Sequence, residues 1–140
     1  MIIDKGLLVS NSQRVNNDNA NEVSENAVDL SVARNIAAGE TLYAIINIEV
    51  APTGTGTTQQ FQVITATNND LTTGAVVLIE TPAIAKASLT VGKTIVLALP
   101  PLVISGGEQR YLGINYKGDN TFETTGTVSA FFGNGPQTNQ

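Results

Sequence analysis

The chain predicts an all-β fold: an antiparallel β-sandwich of about eight strands. Three observations predict it. Several short runs alternate apolar and polar residues with the period of a strand. Clusters of Gly, Pro, Asn and Asp punctuate them at the spacing of a sandwich. No stretch repeats with a period of 20–50 residues, which sets aside solenoids and propellers.

At 140 residues the chain is read as one domain spanning 1–140, with enough length for a proper core. Residues 1–9 form an apolar arm, with Ile2, Ile3, Leu7 and Leu8 as its large side chains. Residues 11–26 carry six Asn and few large apolar side chains. Asn competes for backbone hydrogen bonds and tolerates turns, so this stretch reads as a loop or a weakly ordered segment. Together 1–26 make an N-terminal arm and an Asn-rich loop. Such an arm has two readings. The simpler is a first strand tucked onto the sheet. The sharper is an element that reaches a neighbouring subunit.

Val28 and Leu30 begin the strands. Residues 31–38 read as one helical turn closed by Gly39. The run 42–50 is the strongest strand: Leu42, Ala44, Ile46, Ile48 and Val50 share one face, and Tyr43, Ile45, Asn47 and Glu49 the other. Pro52 and the Thr-Gly repeat to Thr57 break it. Residues 60–67 alternate again, with Phe61 and Val63 inward and Gln60 and Gln62 outward. Asn68, Asn69 and Asp70 turn the chain. Residues 75–80 are almost continuously apolar, which points to burial on both faces or to an ambiguous segment. Pro82 bars a central ladder position, and 83–91 reads as an extended link or short edge strand. Residues 94–99 set Ile95, Leu97 and Leu99 on one face before Pro100 and Pro101. Residues 110–117 do the same with Leu112, Ile114 and Tyr116, and 127–132 with Val128, Ala130 and Phe132. The tail 133–140 is Gly, Asn, Pro, Gln and Thr, a composition that frays.

The composition narrows function. The hydrophobic fraction is 41% and charged residues are only 14%, against about 25% in an average domain. Asn, Thr, Ser, Gln and Gly must keep the surface wet, as in β-rich structural proteins whose surface neighbours partly cover. Net charge is −5, and seven Lys and Arg scattered along the chain make no stripe for phosphates, so no nucleic-acid partner is expected. No apolar run approaches the roughly 18 residues of a membrane span, and no membrane partner is expected. Asp4 and the lack of a long apolar run set aside a signal peptide, so the chain is expected to be made and assembled in a cytoplasm.

Chemistry has little to work with. The chain has no His, Cys or Trp. A Ser or Thr nucleophile would need Lys86, Lys93, Lys117 or a carboxylate as its base. Twelve Asp and Glu keep a paired-carboxylate hydrolase formally open, but Glu22, Glu25, Glu49 and Glu80 read as solvated charges at loops and strand ends. Asn17 to Glu22 offers oxygen ligands of the type calcium takes, without the Gly and spacing of the known calcium loop. No enzyme activity, no metal and no cofactor are expected. Tyr43, Tyr111 and Tyr116 suit either a sugar-stacking groove or ordinary packing.

Arg110 to Tyr116, preceded by Gly92 to Pro101, completes a pattern that resembles the jelly-roll cement, or decoration, proteins of tailed-bacteriophage heads. Further blocks carry the same resemblance. They are Met1 to Leu8; Asp29-Leu30; Ala33 to Ile36 with Gly39-Glu40; Leu42 to Ile45; Phe122; and Gly126 to Ala130. The blocks cover nearly the whole chain, and their order is what is specific. The Asn-rich loop at 16–26 and the Thr-Gly insertion at 53–57 lie outside them. The resemblance implies a jelly roll that binds the outer surface of a capsid in the virion. Its partner would be the major capsid protein of the same virus, whose subunits it bridges without enzymatic action. It also implies a homo-oligomer, dimer or trimer. Ile2, Ile3, Leu7, Leu8, Tyr43 and Tyr111 are the candidate subunit or capsid contacts. The alternative is a carbohydrate- or receptor-binding β-sandwich module.

Overall fold

A computed structural model describes residues 5–15, 21–31, 41–99, 109–119 and 126–134. Among them run ten strands: β1 (Leu8–Arg14), β2 (Asn21–Val23), β3 (Val28–Asp29), β4 (Tyr43–Val50), β5 (Thr58–Ala66), β6 (Val76–Glu80), β7 (Ile84–Ala85), β8 (Thr94–Ala98), β9 (Tyr111–Gly118) and β10 (Thr127–Gly133). Lys5–Leu7 and Lys86–Ser88 are single 3-10 turns. The helical turn expected at 31–38, Pro100-Pro101 and most of the C-terminal tail lie outside the described residues.

The strands form two antiparallel sheets. One has the order β1-β10-β4-β8. The other has the order β2-β9-β5-β6, with β3 beside β9 and β7 beside β5. Setting aside the two-residue β3 and β7, eight strands remain, and the chain crosses between sheets at every step except β5 to β6. That order is the double Greek key of a jelly roll, which buries one face of each sheet against the other.

The core is built where the alternation is cleanest. Ala44, Ile46 and Ile48 of β4 meet Val128, Ala130 and Phe132 of β10 on one inner face. Phe61 and Val63 of β5 and Leu112, Ile114 and Tyr116 of β9 supply the other. Phe61 and Tyr116 are cross-strand partners, and their rings stand edge to face, 6.0 Å apart at 85°. Tyr116 is fully buried. Its hydroxyl is 2.8 Å from Ser10 Oγ, so the polar end of the ring has a partner inside the core. Burial holds this phenol protonated well above the ordinary tyrosine range.

Two expectations are corrected. Residues 11–26 are not simply a loop, because Asn11–Arg14 continues β1 and Asn21–Val23 is β2. The period of β1 is broken by register shifts against β10 on both sides of Ser10 and by Ser12 at φ +50°. A buried Gln13 and Ser10 replace apolar residues there. Gln13 Oε1 accepts from Ser10 Oγ at 2.6 Å and from Glu25 N at 2.9 Å, and its Nε2 donates to Val23 O at 2.8 Å. Residues 75–80 are not buried on both faces. β6 lies at the edge of its sheet, and Val77 is 45% exposed.

Candidate interaction surfaces

The outward face of the β1-β10-β4-β8 sheet carries an apolar row. Leu8 pairs with Phe131, Phe131 with Ile45, and Ile45 with Val96. All four point away from the sandwich core, yet Ile45 and Phe131 are buried and Leu8 is half-buried. Val96 is the exposed end of the row, at 39%. Tyr43, half-buried, stands in the next row opposite Ala98 and Gly133. The far end of this face is polar. Glu49 accepts from Ser12 Oγ at 2.6 Å and from Ser129 Oγ, while Ser129 Oγ accepts from Ser12 N at 3.0 Å. These hydroxyls hold the Glu49 carboxyl below its usual range, Ser12 first. Thr94 Oγ1 donates to Asn47 Oδ1 at 2.8 Å.

The outward face of the other sheet has two zones. In the first, Leu71 folds from the β5–β6 loop over Gly113 and joins Ile64 and Ala66 in a small second cluster. Val23, Ala27 and Tyr111 pack against it. Leu71 reaches this place with φ +59°, a conformation that costs a branched residue energy. The hydrogen bonds of the loop offset that cost: Thr67 N donates to Thr73 O at 3.0 Å and Thr72 N to Asp70 Oδ1 at 3.0 Å. The second zone is a ladder of amides across four strands. Asn115 Nδ2 donates to Asn21 Oδ1 at 3.1 Å and to Gln62 Oε1 at 2.8 Å, and Gln62 Nε2 donates to Glu80 at 2.6 Å.

Two ion-and-turn clusters fix the rim. Arg110 grips Asp29 with two bonds of 2.8 Å and lies over the Tyr111 ring at 5.1 Å. The Arg110 bonds, aided by Ser31 N, lower Asp29 to about 2. Asp119 accepts from Thr57 Oγ1, from Thr57 N at 2.9 Å and from Thr58 N at 3.2 Å. These bonds lower it to about 2 as well. Asp119 thereby ties the turn after β9 to the Thr-Gly loop before β5.

The six residues singled out from sequence do not form one patch. Ile2 and Ile3 lie outside the described residues. Leu7 packs against the core, and Leu8 opens β1 beside Phe131. Tyr43 and Tyr111 lie on the outward faces of opposite sheets, and Tyr116, the third tyrosine of a possible stacking groove, is buried. A narrow cleft opens between the sheets near Val15, Val50, Pro52, Leu89 and Gly126. Among the described residues, no titratable side chain lines it. Most of Asn17 to Glu22 lies outside the described residues. Among the described residues, no three Asp or Glu side chains gather as a metal-binding group, and no helix is long and apolar enough to cross a membrane.

No curated protein matches the chain. A protein-family model described as Bbp16 matches residues 9–132. The match begins within β1 and ends within β10, so it takes in both sheets of the sandwich. On that coverage, the chain belongs to the Bbp16 family.

Proposed function

We propose that this chain is a non-enzymatic capsid cement protein that binds the outside of a phage head and bridges neighbouring major capsid protein subunits. The observation that carries the reading is the strand order. The sequence blocks that resemble cement proteins imply a jelly roll, and the chain folds as one. Those blocks fall on its structural positions: Ala44 and Ile45 in β4, Leu97 in β8, Leu112 to Ile114 in β9, and Val128 to Ala130 in β10. A fold alone does not fix function; the ordered resemblance supplies the rest. The exposed end of the apolar row at Val96 and the amide ladder that runs from Asn21 to Glu80 are surfaces suited to protein contact.

Bridging has a simple physical basis. A protein that touches two subunits makes its second contact intramolecularly and gains avidity. It binds the assembled lattice better than free subunits and so stabilises the lattice by mass action. The test is co-sedimentation of the purified protein with empty heads of its virus, with unassembled major capsid protein as control. Saturable binding to heads, and weak binding to free subunits, is expected. Failure to bind heads overturns the proposal.

A further inference from the structure

Strands of a sandwich are held chiefly by the apolar surface they bury. β1 buries one apolar side chain, Val9, and two polar ones, Ser10 and Gln13. Its neighbour β10 buries Val128, Ala130, Phe131 and Phe132. The β1 ladder is also interrupted. Register shifts lie on both sides of Ser10, and Ser12 sits at φ +50°, where a residue with a side chain is strained. β1 ends its sheet, and among the described strands it pairs with β10 alone.

Polar bonds hold β1 in place of apolar contact. Inside the sandwich, Ser10 Oγ meets Gln13 Oε1 and the Tyr116 hydroxyl, Gln13 Nε2 donates to Val23 O, and Glu25 N donates to Gln13 Oε1. Asn26 N donates to Val9 O at 2.9 Å. Outside, Glu49 of β4 accepts from Ser12 Oγ of β1 and from Ser129 Oγ of β10, so one carboxylate clasps three strands. Such a seam differs from an apolar one. β1 forms the rim of the sandwich, so water can replace each of these bonds when the strand leaves. The rest keeps its ladders: β10 stays paired with β4 from Thr127 to Gly133, and β9 with β5 from Tyr111 to Gly118.

We propose that β1 is a releasable strand. The closed form is the one described above. In the open form Leu8–Arg14 leaves as one unit while both sheets stay paired. The Ser12–Glu49–Ser129 clasp is the latch that sets the balance between the two. Opening uncovers the outer edge of β10, Thr-Val-Ser-Ala-Phe-Phe-Gly, which holds no charge and no Pro. Such an edge accepts an extended peptide through main-chain hydrogen bonds, and β1 is the device that keeps it covered. The release belongs to the free molecule and does not rest on head binding.

The experiment uses the purified full chain below its urea transition. Native-state hydrogen exchange is expected to give the β1 amides one shared opening, with a small urea slope and a lower free energy than the amides of β5 and β9. The β5 and β9 amides are expected to open only with the whole fold. A thiol reporter checks this cleanly, because the chain has no Cys. Val9 and Val63 are both buried, so V9C and V63C make the same change on β1 and on β5. V9C is expected to react with a thiol reagent at least about tenfold faster than V63C in the absence of urea. E49Q in the V9C background is expected to raise that rate about threefold or more. β1 amides that share the urea slope of β9 overturn the proposal, because β1 then leaves only with global unfolding. So do β1 amides that open one by one from the strand end, or a V9C rate that E49Q leaves unchanged. If V9C fails to fold, the exchange of the wild-type amides decides.

Discussion

At Gly113 an added Cβ would lie 2.2 Å from Leu71 Cδ1 and 3.0 Å from Ser24 Oγ. Leu71 is itself buried, so it can yield only by leaving the sheet. G113A is therefore expected to destabilise by about 1–3 kcal/mol, and L71A by about 2–5 kcal/mol. The two changes act on one contact, so the G113A cost is expected to shrink by about 1 kcal/mol or more in the L71A background. Urea melts of the four proteins of this double-mutant cycle measure it, and strict additivity would show that Leu71 and Gly113 are not coupled. Inside the sandwich, Y116F removes the hydroxyl that meets Ser10 and is expected to cost about 0.5–1.5 kcal/mol in the same melts. Sequence reading found Tyr116 on the inward face because its neighbours alternate. It did not find Leu71, because a single apolar residue in a turn after Asn-Asn-Asp carries no period.

The elements differ in how legible they were. β4, β8, β9 and β10 each turn an apolar face into the sandwich at every second residue, so their inward residues could be named from sequence, although Ile45 of β4 and Phe131 of β10 are buried on the outward face as well. β1 could not be followed to Arg14, because register shifts break its period and Ser10 and Gln13 fill core positions by bonding to each other. β2 is three residues without an apolar repeat. The count of ten strands exceeds the expected eight through such short pieces, β3 and β7 among them. Acid should reveal what ties the elements together. Asp29 and Asp119 are lowered from 3.8 to about 2 by Arg110 and by Thr57, respectively. Their ionised forms are favoured in the fold, so the stability they contribute is present above the unfolded value. It is lost as pH falls from about 4 through about 2. D29N and D119N are each expected to lower stability at neutral pH and to flatten its decline across that window, as followed by urea midpoints. An undiminished slope in both would show that these carboxyls are not the ties. E49Q is expected to loosen β1, since Glu49 is its anchor through Ser12. Hydrogen exchange is expected to quicken over Leu8–Arg14 more than over β9.

For the whole molecule, the sandwich was readable because strand-length runs and turn signals recur along most of the chain. The jelly-roll order came only through family resemblance, since alternation does not say which strands are neighbours. For the same reason the candidate contacts were named by residue type rather than by place. Tyr43 and Tyr111 looked equivalent until the topology put them on opposite faces. The central claim is that this molecule stabilises a phage head by bridging its subunits. It is tested most directly by stripping heads of the protein, adding it back in increasing amounts, and measuring the temperature at which the heads open. The account expects that temperature to rise with occupancy and to level off at saturation. Heads that bind the protein yet open at the stripped-head temperature, or that do not bind it at all, contradict the account.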